Sequence, residues 1–139
     1  MKSHHLAAAV MLATGLAAPA AAQTAEGAFG VWQHPENGSH VEMYRCGQGL
    51  CAKIVKVTDG QKTDDKNPDA AKRGQPIIGL VIMAGAMKSG DASWSGKLYN
   101  RADGKTYSGT IAVKSNNAID LSGCTLAVFC KTVTWTRVK

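Results

Sequence analysis

Asp65-Lys66-Asn67-Pro68-Asp69 sets oxygen donors at alternating positions, the spacing with which a calcium loop presents its first ligands. The rest of such a loop is missing. Pro68 stiffens the middle, Ala70 stands where the sharp turn needs glycine, and position twelve is Pro76 instead of a bidentate glutamate. The same side chains suit an Asx/Pro turn, in which Asp and Asn oxygens accept nearby backbone N–H groups. A third use is contact with a polar part of a ligand. On that reading the candidate ligand-binding residues are Asp64, Asp65, Asn67, Lys72 and Arg73.

Other constellations are weaker on chemical grounds. His34-x-Glu36 and His40-x-Glu42 look like metal ligands on paper. With Asn37-Gly38 as a two-residue hairpin turn, however, His34 pairs with Val41 and Pro35 with His40. Cross-strand partners share a face, so the two imidazoles point to opposite faces and cannot share an ion. Asp64 and Asp65 are adjacent on one segment and are expected to be exposed acids. Glycoside hydrolysis needs two carboxyl groups facing across a cleft. No Gly-x-Ser-x-Gly elbow occurs. Catalytic residues, metal ligands and cofactors are therefore all set at none.

Four cysteines remain: Cys46, Cys51, Cys124 and Cys130. A zinc site would need Cys-x-x-Cys spacing, which is absent. In an oxidising compartment they pair, and oxidised cysteines are not nucleophiles. Four cysteines allow three connectivities. The local pairs Cys46–Cys51 and Cys124–Cys130 are expected, because each flanks a short turn. The start of the chain agrees with export. Lys2 precedes an apolar stretch from Leu6 to Ala18, followed by Pro19 and Ala20-Ala21-Ala22. That is the order of a cleavable export signal, with residues 1–22 removed and Gln23 left first. Alanine-rich and broken by Pro19, the segment is a poor membrane anchor. Periplasmic or secreted localisation follows.

These residues need a scaffold, and 139 residues less the 22 of the leader leave 117. That is one domain with one core. Without Lys2 there are 15 basic against 10 acidic side chains, a formal charge of +5. The basic residues are scattered, with no run of interleaved aromatics, so nucleic acid is not an expected partner. No stretch of the mature part is apolar enough to span a membrane as a helix. A monomer is expected.

Strand patterns run through almost all of residues 23–139. Strands are predicted at Phe29–His34, Ser39–Cys46, Leu50–Thr58, Ile77–Met83, Ala92–Asn100, Lys105–Lys114, Ala118–Gly123 and Lys131–Lys139. Tyr107, Gly109, Ile111 and Val113 share one face, with polar and small residues between them. Turn signals separate the strands: Asn37-Gly38, Gly47-Gln48-Gly49, Asp103-Gly104 and Asn116-Asn117. Glycines inside the predicted strands, at 79, 96 and 109, favour a bent, closed sheet. The expected fold is all-β, an antiparallel up-and-down barrel of about eight strands. The polar segment from Asp59 to Pro76 breaks the rhythm and is long for a hairpin connection, a length that usually marks a functional or a disordered loop.

Gly30-Val31-Trp32 in the first strand and Arg137 in the last, after Trp135, resemble the lipocalin-like (calycin) barrels. The resemblance implies that Trp32 and Arg137 have a structural role, packing together across the closed end as a cation over an indole face. A narrower resemblance covers nearly the whole mature chain. It rests on Gly30-Val31-Trp32, on Cys46 and Cys51 with Gly49-Leu50 between them, and on Thr63-Asp64-Asp65-Lys66-Asn67-Pro68-Asp69. It continues through Arg73-Gly74-Gln75-Pro76, Ile78-Gly79-Leu80, Asp103-Gly104-Lys105-Thr106-Tyr107, Gly123-Cys124 and Trp135-Thr136-Arg137. These residues are similar to the bacterial exported family known as domain of unknown function 2147. The chain departs from that family at Gln75, where another basic residue is common. The family carries no established activity to transfer.

An eight-stranded barrel is just wide enough to be filled by side chains or to hold one small ligand. Trp94, Trp135, Tyr99 and Tyr107 suit either case. The leading expectation is a lipocalin-like binder of a small, partly apolar molecule. The alternative is an envelope interaction or structural protein with a filled barrel and a protein partner. An enzyme is the least favoured reading.

Overall fold

Period-two alternation of apolar and polar residues builds most of the chain beyond residue 29 into one sheet. The computed structural model describes residues 10–19, 21–126 and 129–139. Residues 1–9 and 20 of the predicted leader, and residues 127 and 128, lie outside the described residues. Residues 10–19 are exposed and carry no regular secondary structure.

The strands are β1 (Gly30–Gln33), β2 (His40–Cys46), β3 (Gly49–Lys56), β4 (Val81–Gly90), β5 (Ser93–Asn100), β6 (Lys105–Ser115), β7 (Ala118–Thr125) and β8 (Phe129–Arg137). Each pairs antiparallel with the next, and β1 pairs with β8 at Trp32↔Arg137 and Gln33↔Thr136. The result is a closed eight-stranded up-and-down barrel. Seven strands match their predicted ends within two residues.

The fourth differs. It was expected at Ile77–Met83 and runs over Val81–Gly90. Ile77 is buried, but its N–H donates to the carbonyl of Lys62 at 3.0 Å, and its own carbonyl accepts from Leu80 at 3.0 Å. The apolar run Ile77–Leu80 is thus a turn that anchors the loop. The true strand was masked because its lower half, with Met87, Lys88, Ser89 and Gly90, is exposed and lacks alternation. Register shifts on both sides, against β3 and β5, accompany this irregular pattern.

The closed end is filled. A 3-10 turn, Ala25–Ala28, lies across it and buries both alanines. Trp32 Nε1 donates to the Ala28 carbonyl at 2.8 Å and Trp94 Nε1 to the Ala25 carbonyl at 2.7 Å. The Arg137 guanidinium sits 4.2 Å from the centroid of the Trp32 ring. It also donates to the carbonyls of Phe29 at 2.9 Å and Gly27 at 2.7 Å. One cation therefore locks the turn, the first strand and the last. Leu50, Met83, Ile111 and Ile119 complete the core. Gly109 serves packing more than bending: a Cβ there would lie 2.8 Å from Leu98 Cβ and 2.9 Å from Met83 Cε.

Both local disulfides are present. Cys46–Cys51 closes the β2–β3 turn and Cys124–Cys130 closes the β7–β8 connection.

Candidate functional site

Antiparallel order decides which connections meet at the end opposite the 3-10 turn. They are the β1–β2 turn, the long β3–β4 loop, the β5–β6 turn and the β7–β8 connection. A cavity of about 530 Å³ occupies this half of the barrel, within the range of about 300–1,000 Å³ typical of small-molecule sites. Inward residues of six strands wall it: Val41, Ile54, Ile82, Leu98, Leu121 and Val133. Trp135, Tyr99 and Tyr107 add aromatic surface, while Trp94 belongs to the filled floor. The rim is polar, with His34, Glu36, Asp59, Gln61, Arg101 and Lys131.

The rim charges are paired. Arg101, only 8% exposed, donates through Nη2 to Asp59 Oδ2 at 2.8 Å and through Nη1 to Gln61 Oε1. The Arg101 hydrogen bond holds the Asp59 carboxyl below its usual range. Lys131 Nζ meets Glu36 Oε1 at 2.9 Å, and that bond lowers the Glu36 pKa. His34 Nδ1 accepts from the Glu36 N–H at 3.1 Å. Burial pushes the imidazole pKa below its ordinary value, so His34 is neutral at pH 7 with its proton on Nε2. Its ring stands 4.8 Å from the Trp135 ring, tilted by 58°. Trp135 is 4% exposed, and its Nε1 has no hydrogen-bond partner among the described residues.

His40 pairs with Gln33, on the outer face, while Trp32 pairs with Val41. His40 faces Gln33 where a tight Asn37-Gly38 turn would put Pro35, so Pro35 and Glu36 join the turn and the register moves by two residues. The shift is even, so the two imidazoles still lie on opposite faces. Among the described residues no group of three or more His, Cys, Asp or Glu is placed to hold a metal ion.

The five sequence candidates share one loop but do not line the barrel cavity. Asp64 is fully buried, which corrects the expectation that both acids are exposed; Asp65 is exposed. The Asp64 carboxylate accepts from Tyr99 Oη at 2.7 Å, Asn67 Nδ2 at 2.8 Å and Gln75 Nε2 at 3.0 Å. Burial pushes its pKa up, but the bonds from Asn67, Tyr99 and Gln75 outweigh burial and leave it below the ordinary value. Tyr99 is pushed up to about 12, by burial and then by Asp64. Asp65 accepts from Gln61 Nε2 at 3.0 Å.

Asn67 and Asp69 form the Asx turns that the sequence allowed. Asn67 Oδ1 accepts from the Asp69 N–H at 2.9 Å, and Asp69 Oδ1 from the Ala71 N–H at 3.0 Å, capping the 3-10 turn Ala70–Lys72. Arg73 is exposed and donates through Nε to the Asn67 carbonyl at 2.8 Å. Asn67 and Lys72 line a second, more open pocket of about 680 Å³ with Pro68, Ile78, Val81 and Tyr99. The Asp59–Gln61–Arg101 cluster was missed. Its only sequence signal is an arginine inside the turn before Asp103-Gly104, which reads as an exposed loop residue.

Residues 30–137, from the first residue of β1 to the last of β8, match the family described as "Uncharacterized protein conserved in bacteria (DUF2147)". The chain belongs to the DUF2147 family. This DUF2147 barrel is also similar to a solved structure, HP1028 from Helicobacter pylori, described as belonging to the lipocalin family. The two are 29% identical, with a TM-score of 0.70, over 79% of this chain and 82% of that one. No curated protein matches the chain. The DUF2147 chain is therefore lipocalin-like in fold. Two disulfides in a protein of a bacterial family point to an extracytoplasmic location. No helix of the described residues is long and apolar enough to cross a membrane.

Proposed function

We propose that this DUF2147 protein binds a small, partly apolar molecule in the open half of its barrel. The single observation that carries the reading is the cavity: about 530 Å³, walled by aliphatic and aromatic side chains, above a floor sealed by Trp32 and Trp94. The Asp64–Arg73 loop acts on the ligand by shaping the mouth. Asp64 holds the loop to Tyr99, itself a cavity wall. Removal of residues 1–22 on export would release the barrel as a monomeric periplasmic or secreted binder.

The test is native mass spectrometry of protein made with its leader and purified from the extracytoplasmic fraction, before and after organic extraction. A discrete extra mass that extraction removes is the expected result. A bare mass, together with no binding of the apolar fluorophore N-phenyl-1-naphthylamine, refutes the reading.

A second reading has its own observation. Leu126 and Phe129, beside the Cys124–Cys130 disulfide, are 85% and 70% exposed. An envelope protein docking on this tip would co-purify with the wild type and be lost from Leu126→Ser/Phe129→Ser.

A further inference from the structure

His34 follows Gln33 at the end of β1, two residues beyond Trp32, so it shares the inward side of the chain with that floor tryptophan. It lines the cavity, half-buried, with its ring against Trp135. Its two nitrogens are not equivalent. Nδ1 accepts from the Glu36 N–H at 3.1 Å, which leaves the proton of the neutral ring on Nε2. The Nε2–H has no protein partner and is not sealed. Among the described residues, the buried unpaired side-chain donor closed off from solvent is Trp135 Nε1, which no occupant can reach. The neighbouring groups of the wall are engaged: Tyr99 donates to Asp64, Tyr107 to Asp103, and Arg101 to Asp59 and Gln61. The Asn37 and Asn100 amides and the Lys131 ammonium are exposed at the rim, where water serves them. An occupant that covers His34 without offering an acceptor strands a desolvated donor, so the wall discriminates against it.

We infer that His34 is the specificity-determining donor of this cavity, and that the occupant presents an uncharged acceptor oxygen, of ketone, ester or amide type, to its Nε2–H while an apolar body rests on the aliphatic walls. The inference rests on the binding function proposed above and names its ligand class. The acceptor is uncharged because the charges around the imidazole already cancel. Glu36 of the β1–β2 turn pairs with Lys131 of β8, and Arg101 of the β5–β6 turn pairs with Asp59 of the β3–β4 loop. An anionic head would draw a second proton onto the ring, and Nδ1 would then lose the Glu36 N–H. Burying an ion without a counter-charge costs far more than one neutral hydrogen bond returns. The proton balance gives a signature. An occupant that shields the neutral ring from water disfavours the imidazolium further. Affinity is therefore full above the imidazole pKa of the free protein and falls as the pH drops through it.

Benzophenone, diphenylmethane and diphenylacetate share two rings and carry a carbonyl, no acceptor and a carboxylate. Titrating each into the disulfide-intact protein, by calorimetry and by NMR of the ¹⁵N-labelled imidazoles, separates the possibilities. At neutral pH benzophenone is expected to bind about two- to tenfold more tightly than diphenylmethane, the range of one net hydrogen bond. It should also shift the His34 Nε2 resonance, which diphenylmethane leaves in place, and lower the imidazole pKa. His34→Asn keeps an acceptor for the Glu36 N–H but has no donor at the Nε2 position; it should level the two affinities and remove the loss of benzophenone affinity in acid. Equal affinities with an unmoved Nε2 resonance in the wild type overturn the inference and leave the binding function standing. Tightest binding of diphenylacetate, with a raised imidazole pKa, overturns the uncharged acceptor. Failure of all three probes to bind overturns both readings. The resonance is read in the wild type, so the inference remains falsifiable if His34→Asn does not fold.

Discussion

Asp64→Ala tests the joint between the long loop and the barrel wall. Asp64 is fully buried, and its carboxylate accepts three side-chain hydrogen bonds. Alanine leaves the Tyr99 hydroxyl, the Asn67 amide and the Gln75 amide without their acceptor. A buried donor left unpaired costs about 1–3 kcal/mol. Asn67 is buried and bears that in full, whereas Tyr99 and Gln75 are half-buried and recover part of it from water. The total is about 2–4 kcal/mol. For a domain of this size that lowers Tm by at least about 8 °C. Urea unfolding at pH 7 with disulfides intact measures it. Asp64→Asn keeps one acceptor oxygen and should cost less.

A double mutant with Tyr99→Phe sharpens the test. Once the stranded hydroxyl is gone, Asp64→Ala/Tyr99→Phe should be less destabilised than the sum of the single variants, by about 0.5–3 kcal/mol. The pH dependence has a definite sign. The folded-state pKa of Asp64 lies below its ordinary value, so its contribution is full above the unfolded pKa of about 3.9 and fades as pH falls through the folded one. The gap between wild type and Asp64→Ala therefore narrows on acidification. A cost under about 0.5 kcal/mol, strict additivity with Tyr99→Phe, or a gap that widens in acid would each refute the reasoning.

Arg137→Met removes the cation over Trp32 and the donors to Gly27 and Phe29; a loss of about 2–4 kcal/mol is expected from denaturant unfolding, with Lys a poor substitute for a fork that reaches two carbonyls. Gly104→Ala places a Cβ 1.9 Å from the Lys66 carbonyl oxygen at φ +71°; the left-handed backbone alone costs about 1–2 kcal/mol, and proteolysis within residues 59–76 should rise as the loop is displaced. Tyr99, pushed up to about 12, is protonated more readily folded than unfolded. Its contribution to stability is full below about pH 10 and lost as pH rises towards 12, an alkaline transition that ultraviolet titration detects and Tyr99→Phe removes.

Much of this barrel was legible because the signals are local. Alternation placed seven strands, turn dipeptides separated them, and each cysteine pair flanks one turn. Asn67 and Asp69 formed turns because their side chains reach only two residues along the chain. The resemblance of Trp32 and Arg137 to a known pair linked the two ends of the chain, which no local pattern does. β4 was misplaced because apolarity does not distinguish a buried strand from a buried turn such as Ile77–Leu80.

The tertiary structure alone decided the rest. Asp64 and Asp65 are adjacent and chemically alike, yet one is buried and the other exposed. The difference comes from Tyr99, 35 residues away, and Gln75, 11 residues away. Arg101 reads as a turn residue and is buried because Asp59, 42 positions earlier, faces it across the mouth. The cavity is less legible still. Its volume is the space that inward side chains from seven strands leave unfilled, and alternation reports which residues point inward without reporting how far they reach. Three tryptophans have the same pattern in sequence. Two find a carbonyl on the 3-10 turn, and Trp135, facing the open half, does not. Periodicity determines faces because it is a property of neighbouring residues; burial, pairing and empty space belong to residues that only the closed barrel brings together.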